Sequence, residues 1–378
     1  MIKDRAQKAS ALRLSVSKRW VPYMEVDVEA REPLEKGRVL LTDLDVLAVA
    51  SSPIGRHTRY LFDCKSGQRE SAIGRSFWLR GVMARVGADH GFVVLSDKLN
   101  VSADHRVSAA DLNVTLLQES EFEQLATGMG GTTRPFDAAC ASLDAWEWFL
   151  DPHKNDALDR YMQFARSGYW RLPDPGSRCR HLIAELQLVS AELDPAKPRH
   201  FAIYTDALSL LLLAVSELAS HLFLVLLKPA TSEELSNLLT TMLFGGRSNL
   251  EVVQKLRAMF RGADSEEATP FPQMRRFEQL VRQVLQAPSQ GLHASLLARD
   301  IGYSEGGGLY TTAFQLQLME EAVFIPKFVM MASDFLRRAA RLPPDMDVRM
   351  ADITMQVFSL HTSARRSAGE INRHPGSA

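Results

Sequence analysis

The stretch Ala207 to Leu227, ALSLLLLAVSELASHLFLVLL, limits this chain more than any other. A helix that is apolar on every side belongs either in a bilayer or at the centre of a large bundle. This one is just long enough to span, but Glu217 and His221 fall near its middle. An acidic residue there costs roughly 2.5–3.5 kcal/mol on insertion, and no aromatic belt or strongly basic flank compensates. The stretch is therefore expected to be a buried core helix with no membrane partner. Glu217 and His221, four apart on one face, are expected to form a hydrogen-bonded core pair rather than a metal site. Such a helix needs helical neighbours all round it. Residues 137–363 supply them in FDAACASLDAWEWFL, SRCRHLIAELQLVSAEL, QMRRFEQLVRQVLQ and a long run from Ala313, with Thr231 and Glu234 fitting a capping box.

Residues 1–126 read differently. A helix over 2–19 is followed by the alternating run VPYMEVDVEA, then VLLTDLDVLAVAS and RYLFDCK, a helical segment from Ser71, HGFVVLSD, a short helix, VTLLQES and a closing helix. The order α-β-β-β-α-β-α-β-α predicts an α/β domain, a mixed sheet flanked by helices. The boundary falls in TGMGGTTRPF, a linker over 127–136, and 364–378 reads as a disordered tail. The formal net charge is −1, which offers no electrostatic argument for nucleic acid. Lys3, Arg5, Lys8, Arg13, Lys18 and Arg19 make a modest basic arm, read as a solvated helix face. Cys64, Cys140 and Cys179 are far apart without CxxC spacing, so free thiols in a reducing, cytoplasmic setting are expected. The start of the chain lacks the apolar core of a signal peptide.

The chemistry concentrates in LTDLDVLAVASSPIGRHTRYLFDCK. Asp43 and Asp45 share one face of one strand, and Asp63 and Lys65 share one face of the next, with Cys64 turned the other way. A hairpin through SPIGRHT brings Asp45 beside Asp63, so two carboxylates and an ammonium converge at one sheet edge. Buried carboxylates are costly unless paired or bound to a cation. Two of them suit Mg²⁺, which prefers oxygen ligands and keeps several waters. Metal-assisted phosphodiester hydrolysis is the chemistry that uses this set. His57 and Arg59, in the hairpin loop, read as surface residues. GMGG lacks the Lys-Ser/Thr of a phosphate loop, GYSEGGG lacks the context of a nucleophile elbow, and no HExxH is found.

DVLA at 45–48 followed by FDCK at 62–65, within this element order, resembles the PD-(D/E)XK nucleases, the fold of many restriction endonucleases and Holliday-junction resolvases, and most closely the Mrr-like branches. The likeness covers about the first third of the chain. It implies a restriction endonuclease-like fold and a Mg²⁺-dependent endonuclease, with Mn²⁺ as a substitute ion. Asp45 is then the first metal ligand, Asp63 the second and Lys65 the catalytic lysine. Asp43 is a supporting partner or the alternative first ligand, since the two aspartates of TDLD share a face. Several members place a further acid on the first helix, where this chain has only Asp4; that ligand is either absent or replaced by Glu25 on the first strand. Gln68 is placed to position water or phosphate, and Arg75 and Arg80 to meet a nucleic-acid backbone. DNA is favoured over RNA as partner, in defence against foreign DNA or in repair. The helical region is left to recognise, regulate or oligomerise. The alternative is an inactive nuclease-like scaffold that binds a protein partner through its helices. The two differ in one observable: an open groove around the three residues, or a closed one with Lys65 consumed by a salt bridge.

Overall fold

The sheet is built as the alternation in the first third requires. The computed structural model describes residues 2–30, 38–52, 56–67, 71–151, 156–227, 231–261, 271–308 and 310–371. Its strands are β1 (Val21–Glu29), β2 (Leu40–Ala50), β3 (Thr58–Lys65), β4 (His90–Leu95) and β5 (Val114–Gln118). They lie in sequence order, with β1, β2 and β3 antiparallel and β3, β4 and β5 parallel. The antiparallel part is joined by short connections, while the parallel part needs helical crossovers. These are α2 (Ala72–Val86) and α3 (Ala103–Ala110); α1 (Arg5–Ser17) crosses β1 to β3 and α4 (Phe122–Gly128) closes the unit. β4 is buried from Gly91 to Leu95 because both of its faces are covered. Ser71 starts α2 by accepting the Gly74 N–H, and Gly87, at φ 66°, ends it.

The helical region runs α5 (Leu143–Leu150), α6 (Asp156–Gln163), a π-helical turn at Phe164–Gly168, α7 (Tyr169–Arg171), α8 (Pro175–Val189), α9 (Pro198–Val225), α10 (Ser232–Leu243), α11 (Arg247–Arg261), α12 (Met274–Val284), α13 (Gln290–Ser304), α14 (Ala313–Glu321), α15 (Ile325–Ala340) and α16 (Asp345–Ile371). Asp174 caps α8 and Thr231 caps α10. Among the described residues α9 is the one helix long and apolar enough to cross a membrane, and 78% of its most apolar window is buried inside the protein. α8, α12, α13 and α15 surround it. It packs closest on α13 because Gly291 and Gly302 lack side chains there. A Cβ on Gly302 would sit 1.7 Å from Thr205 Oγ1.

Glu217 does not pair with His221. It accepts from Arg178 of α8 at 2.6 Å, and the adjacent guanidinium charge holds its carboxylate below the ordinary glutamate range against the opposing effect of burial. α16 continues past position 363 to Ile371, and 372–378 lie outside the described residues. One continuous apolar core joins the sheet to the helices. Tyr23 of β1 packs on Trp146 and Trp170, while the fully buried Arg299 pairs with Asp206 and donates to the Pro22 carbonyl at 2.5 Å. Residues 129–133 lie along α1, where the Thr132 N–H donates to Ser17 Oγ. The N-terminal basic residues are not a free solvated face: Arg5 pairs with Asp144 and Glu147, Arg19 with Glu321, and Lys8 is buried. All three cysteines are free and buried.

Candidate active site

β2 and β3 pair in register from Val46 opposite Phe62 to Ala50 opposite Thr58. One step further, Asp45 faces Asp63, and there a side chain takes over from the ladder. Asp45 Oδ2 accepts the Cys64 N–H at 2.7 Å, a bond a main-chain carbonyl would otherwise make. On the other flank, Met24 opposite Val46 and Val26 opposite Leu44 bracket Glu25 against Asp45. Glu25 has left-handed backbone, φ 51°, an uncommon conformation that a non-glycine residue keeps only when its surroundings impose it. Three acids, Glu25, Asp45 and Asp63, thus stand in a row across three strands.

Three cations answer them. Lys65 Nζ lies 3.3 Å from Asp45 and 3.4 Å from Asp63. Lys8, from α1, pairs with Asp45 Oδ1 at 2.8 Å and with Glu25 at 2.6 Å. Arg75, from the first turn of α2, grips Asp63 with two bonds, Nε to Oδ2 at 2.8 Å and Nη2 to Oδ1, and its guanidinium stacks 4.0 Å from the Trp78 ring. Asp45, Asp63 and Lys8 are each only 3% exposed. Burial pushes the Asp63 carboxyl up, with Arg75 and Lys65 opposing it, and burial also raises Glu25 against the pull of Lys8. Burial alone would lower the Lys65 ammonium, but Asp45 and Asp63 hold it above the ordinary lysine value. Lys65 is therefore a proton-bearing cation in this state, suited to donating to an oxygen rather than to taking a proton.

The predicted residues divide. Asp45, Asp63 and Lys65 come together, as their strand alternation requires, and Cys64 packs on the opposite side. Glu25 joins through Lys8. Asp43 is exposed at the rim of a cleft of about 600 Å³ that Lys8, Glu25 and Arg166 also line, opposite Asp27 of β1 and without a bond to Asp45. Arg75 turns inward onto Asp63, whereas Arg80 is exposed on the far side of α2. Gln68 lies outside the described residues. His57 and Arg59, expected at the surface, are both buried. Sequence reasoning missed Lys8 and Asp4. Asp4 ties the start of α1 to the end of β3 by accepting the Ser66 N–H at 3.0 Å. Lys8 carried a usable signal: with Ala11, Leu12 and Ser15 it completes an i, i+3, i+4, i+7 stripe, all of it buried.

Two carboxylates at one sheet edge are the donor type that Mg²⁺ takes, since that ion commonly uses one or two carboxylates and water. Among the described residues no group of three or more His, Cys, Asp or Glu side chains is arranged around a metal position, so an ion here would have only Asp45 and Asp63 as carboxylate donors. They fit in chemistry, but all four of their oxygens already accept from Lys8, Lys65, Arg75 or the Cys64 N–H. A divalent ion has to compete with the protein's own cations. No protein-family model, curated protein or solved structure matches the chain.

Proposed function

We propose that this chain is a metal-dependent phosphodiester hydrolase acting on nucleic acid, DNA before RNA, with a restriction endonuclease-like N-terminal unit. The observation that carries the reading is the sharing of Lys65 by two buried carboxylates where β2 and β3 part. Packing alone gives no reason to bury Asp45 and Asp63 beside a lysine, because a buried ion pair is often no more stable than an apolar replacement. Asp45 and Asp63 would hold Mg²⁺ or Mn²⁺, which when bound supplies an activated water and stabilises developing charge. Lys65 donates to the attacking water or to a phosphoryl oxygen. Arg75, partly exposed at the same edge, exchanges Asp63 for a backbone phosphate. Arg80 sits too far round the helix to share that contact.

A second reading, an inactive nuclease-like scaffold that binds a protein partner through its helices, is favoured by the same cations: three acids against Lys8, Lys65 and Arg75 leave the cluster neutral without a metal. One experiment separates the two. Plasmid, linear duplex and single-stranded substrates are incubated with Mg²⁺ or Mn²⁺ and either the unaltered chain or Lys65→Ala, and metal binding is followed by calorimetry. Metal-dependent cutting that Lys65→Ala abolishes supports the hydrolase. Absence of both cutting and metal binding supports the scaffold, and cutting that survives the substitution refutes this site.

A further inference from the structure

A second charged site lies at the other end of β3. A cleft of about 420 Å³ opens where the sheet meets the helical region, walled by Arg56, Arg59, Arg85, Arg171, Arg178 and Trp170, with Asp27 and Glu29 on its β1 side. That volume is in the range of small-molecule sites, and the position between two packed units is a usual one. Its acids are already committed: Glu29 pairs with Arg38 and Arg171, and Asp27 with Arg38 and Arg166. Arg56 pairs with Asp89, and Arg178 with Glu217. Arg59 differs. It is 8% exposed, its side chain donates to the Val86 carbonyl at 2.8 Å, and it makes no ion pair among the described residues. The counter-charge that reaches it, Glu217, is already bonded to Arg178, and a buried guanidinium left incompletely neutralised is costly. Beside it, Arg178 Nε and both ring nitrogens of His57 are buried without a hydrogen-bond partner among the described residues. Burial next to Arg178 also lowers the Arg59 guanidinium to about 10.

We propose that this cleft binds the terminal phosphoryl group of a small ligand, with Arg59 as its anchor and Arg171 and Arg178 at its sides. Arginine forks match phosphate oxygens in pairs. A terminal phosphoryl group carries nearly two charges and is slim enough to reach a buried fork, whereas the phosphodiester of a duplex carries one and is flanked by sugars. Trp170, with its indole N–H already given to the Ala165 carbonyl, offers an apolar wall to whatever the phosphate is attached to. Arg59 and Asp63 are four steps apart along β3, about 13 Å, so the inference stands apart from the hydrolase reading.

The test uses the full chain at constant ionic strength. Inorganic phosphate, adenosine 5′-monophosphate, adenosine and a short DNA duplex are each titrated by calorimetry and by thermal shift. Both phosphates are expected to bind and to raise the melting temperature, with adenosine inert. Arg59→Met is expected to weaken them by about 10- to 100-fold, the loss of a charge-assisted contact. Tighter binding of the nucleotide assigns the source to a phosphorylated metabolite, and equal binding assigns it to the free anion. Arg171→Gln, at the exposed rim, carries the test if Arg59→Met does not fold, with an expected loss of about fivefold. Lys65→Ala is expected to bind phosphate like the unaltered chain, whatever it does to cutting. Binding of the duplex but of neither small phosphate overturns the proposal, as does a phosphate affinity that both arginine substitutions leave unchanged.

Discussion

Arg75→Gln tests most directly how the acidic row is held. Asp63 is 3% exposed and Arg75 supplies two of its bonds, leaving only Lys65, at 3.4 Å, once the guanidinium is gone. Breaking a buried pair costs about 3–5 kcal/mol. The Arg75 side chain is 18% exposed and Lys65 keeps part of the charge balance, so about 2 kcal/mol is expected here. The pH dependence has a definite sign. Asp63 already sits above the ordinary aspartate value because of burial, and losing Arg75 raises it further. An acid with a raised folded-state pKa binds its proton more tightly in the fold, so its ionisation weakens the fold at neutral pH. The deficit of Arg75→Gln is therefore largest near pH 7 and shrinks as pH falls through the raised Asp63 value toward about 4. Urea unfolding of both proteins across that range measures it. A deficit under about 0.5 kcal/mol, the level of an ordinary surface substitution, or one flat with pH would mean that Arg75 does not hold the Asp63 carboxylate. The same variant frees two carboxylate oxygens, so Mn²⁺ is expected to bind more tightly by calorimetry; weaker binding would mean that Arg75 does not compete with the ion.

Lys8→Met leaves Asp45 and Glu25 facing each other without their shared ammonium; stability should fall by about 3 kcal/mol at pH 7 and recover on acidification, as denaturant titration would reveal. His57, 1% exposed and pushed down to about 4 by burial, stays neutral in the fold while the unfolded chain protonates near 6.5. About 3 kcal/mol of stability is then lost as pH falls from 6.5 to 4, a slope that His57→Leu should remove at little cost at pH 7; equal slopes in the two proteins would count against it. Gly302→Ala should lower stability by about 2–3 kcal/mol through its clash with Thr205, in part relieved by Thr205→Ala, with both effects read in thermal melts.

Much of the sheet and half of the site were legible because they depend on local periodicity. Strand alternation alone set Asp63 and Lys65 on one side and Cys64 on the other, and a short hairpin brought Asp45 opposite. The apolar run with a central acid marked α9 as interior. What escaped depends on which segments meet across long separations. Lys8 looks like any lysine on a basic helix until α1 crosses the sheet. Arg75 looks like a solvent-facing partner for phosphate until the first turn of α2 closes over Asp63. Glu217 found Arg178 on a neighbouring helix rather than His221 on its own turn, since a guanidinium keeps its charge at neutral pH and an imidazole does not. His57 and Arg59 fall in a stretch that reads as a surface hairpin loop; Arg178 of α8 and Glu217 of α9 come close to both, and they are buried.

The Arg299 bond to the Pro22 carbonyl spans 277 positions of the chain. At ribosomal rates of about 5–20 residues per second, β1 waits roughly 15–55 s after its own synthesis before Arg299 exists. Trp146 and Trp170 emerge about halfway through that interval, so the Tyr23 side of the nascent sheet gains its aromatic partners first and its Arg299 cap last. The N-terminal unit is thus made early and finished late, and until α13 exists the apolar face of β1 that it covers stays open to solvent.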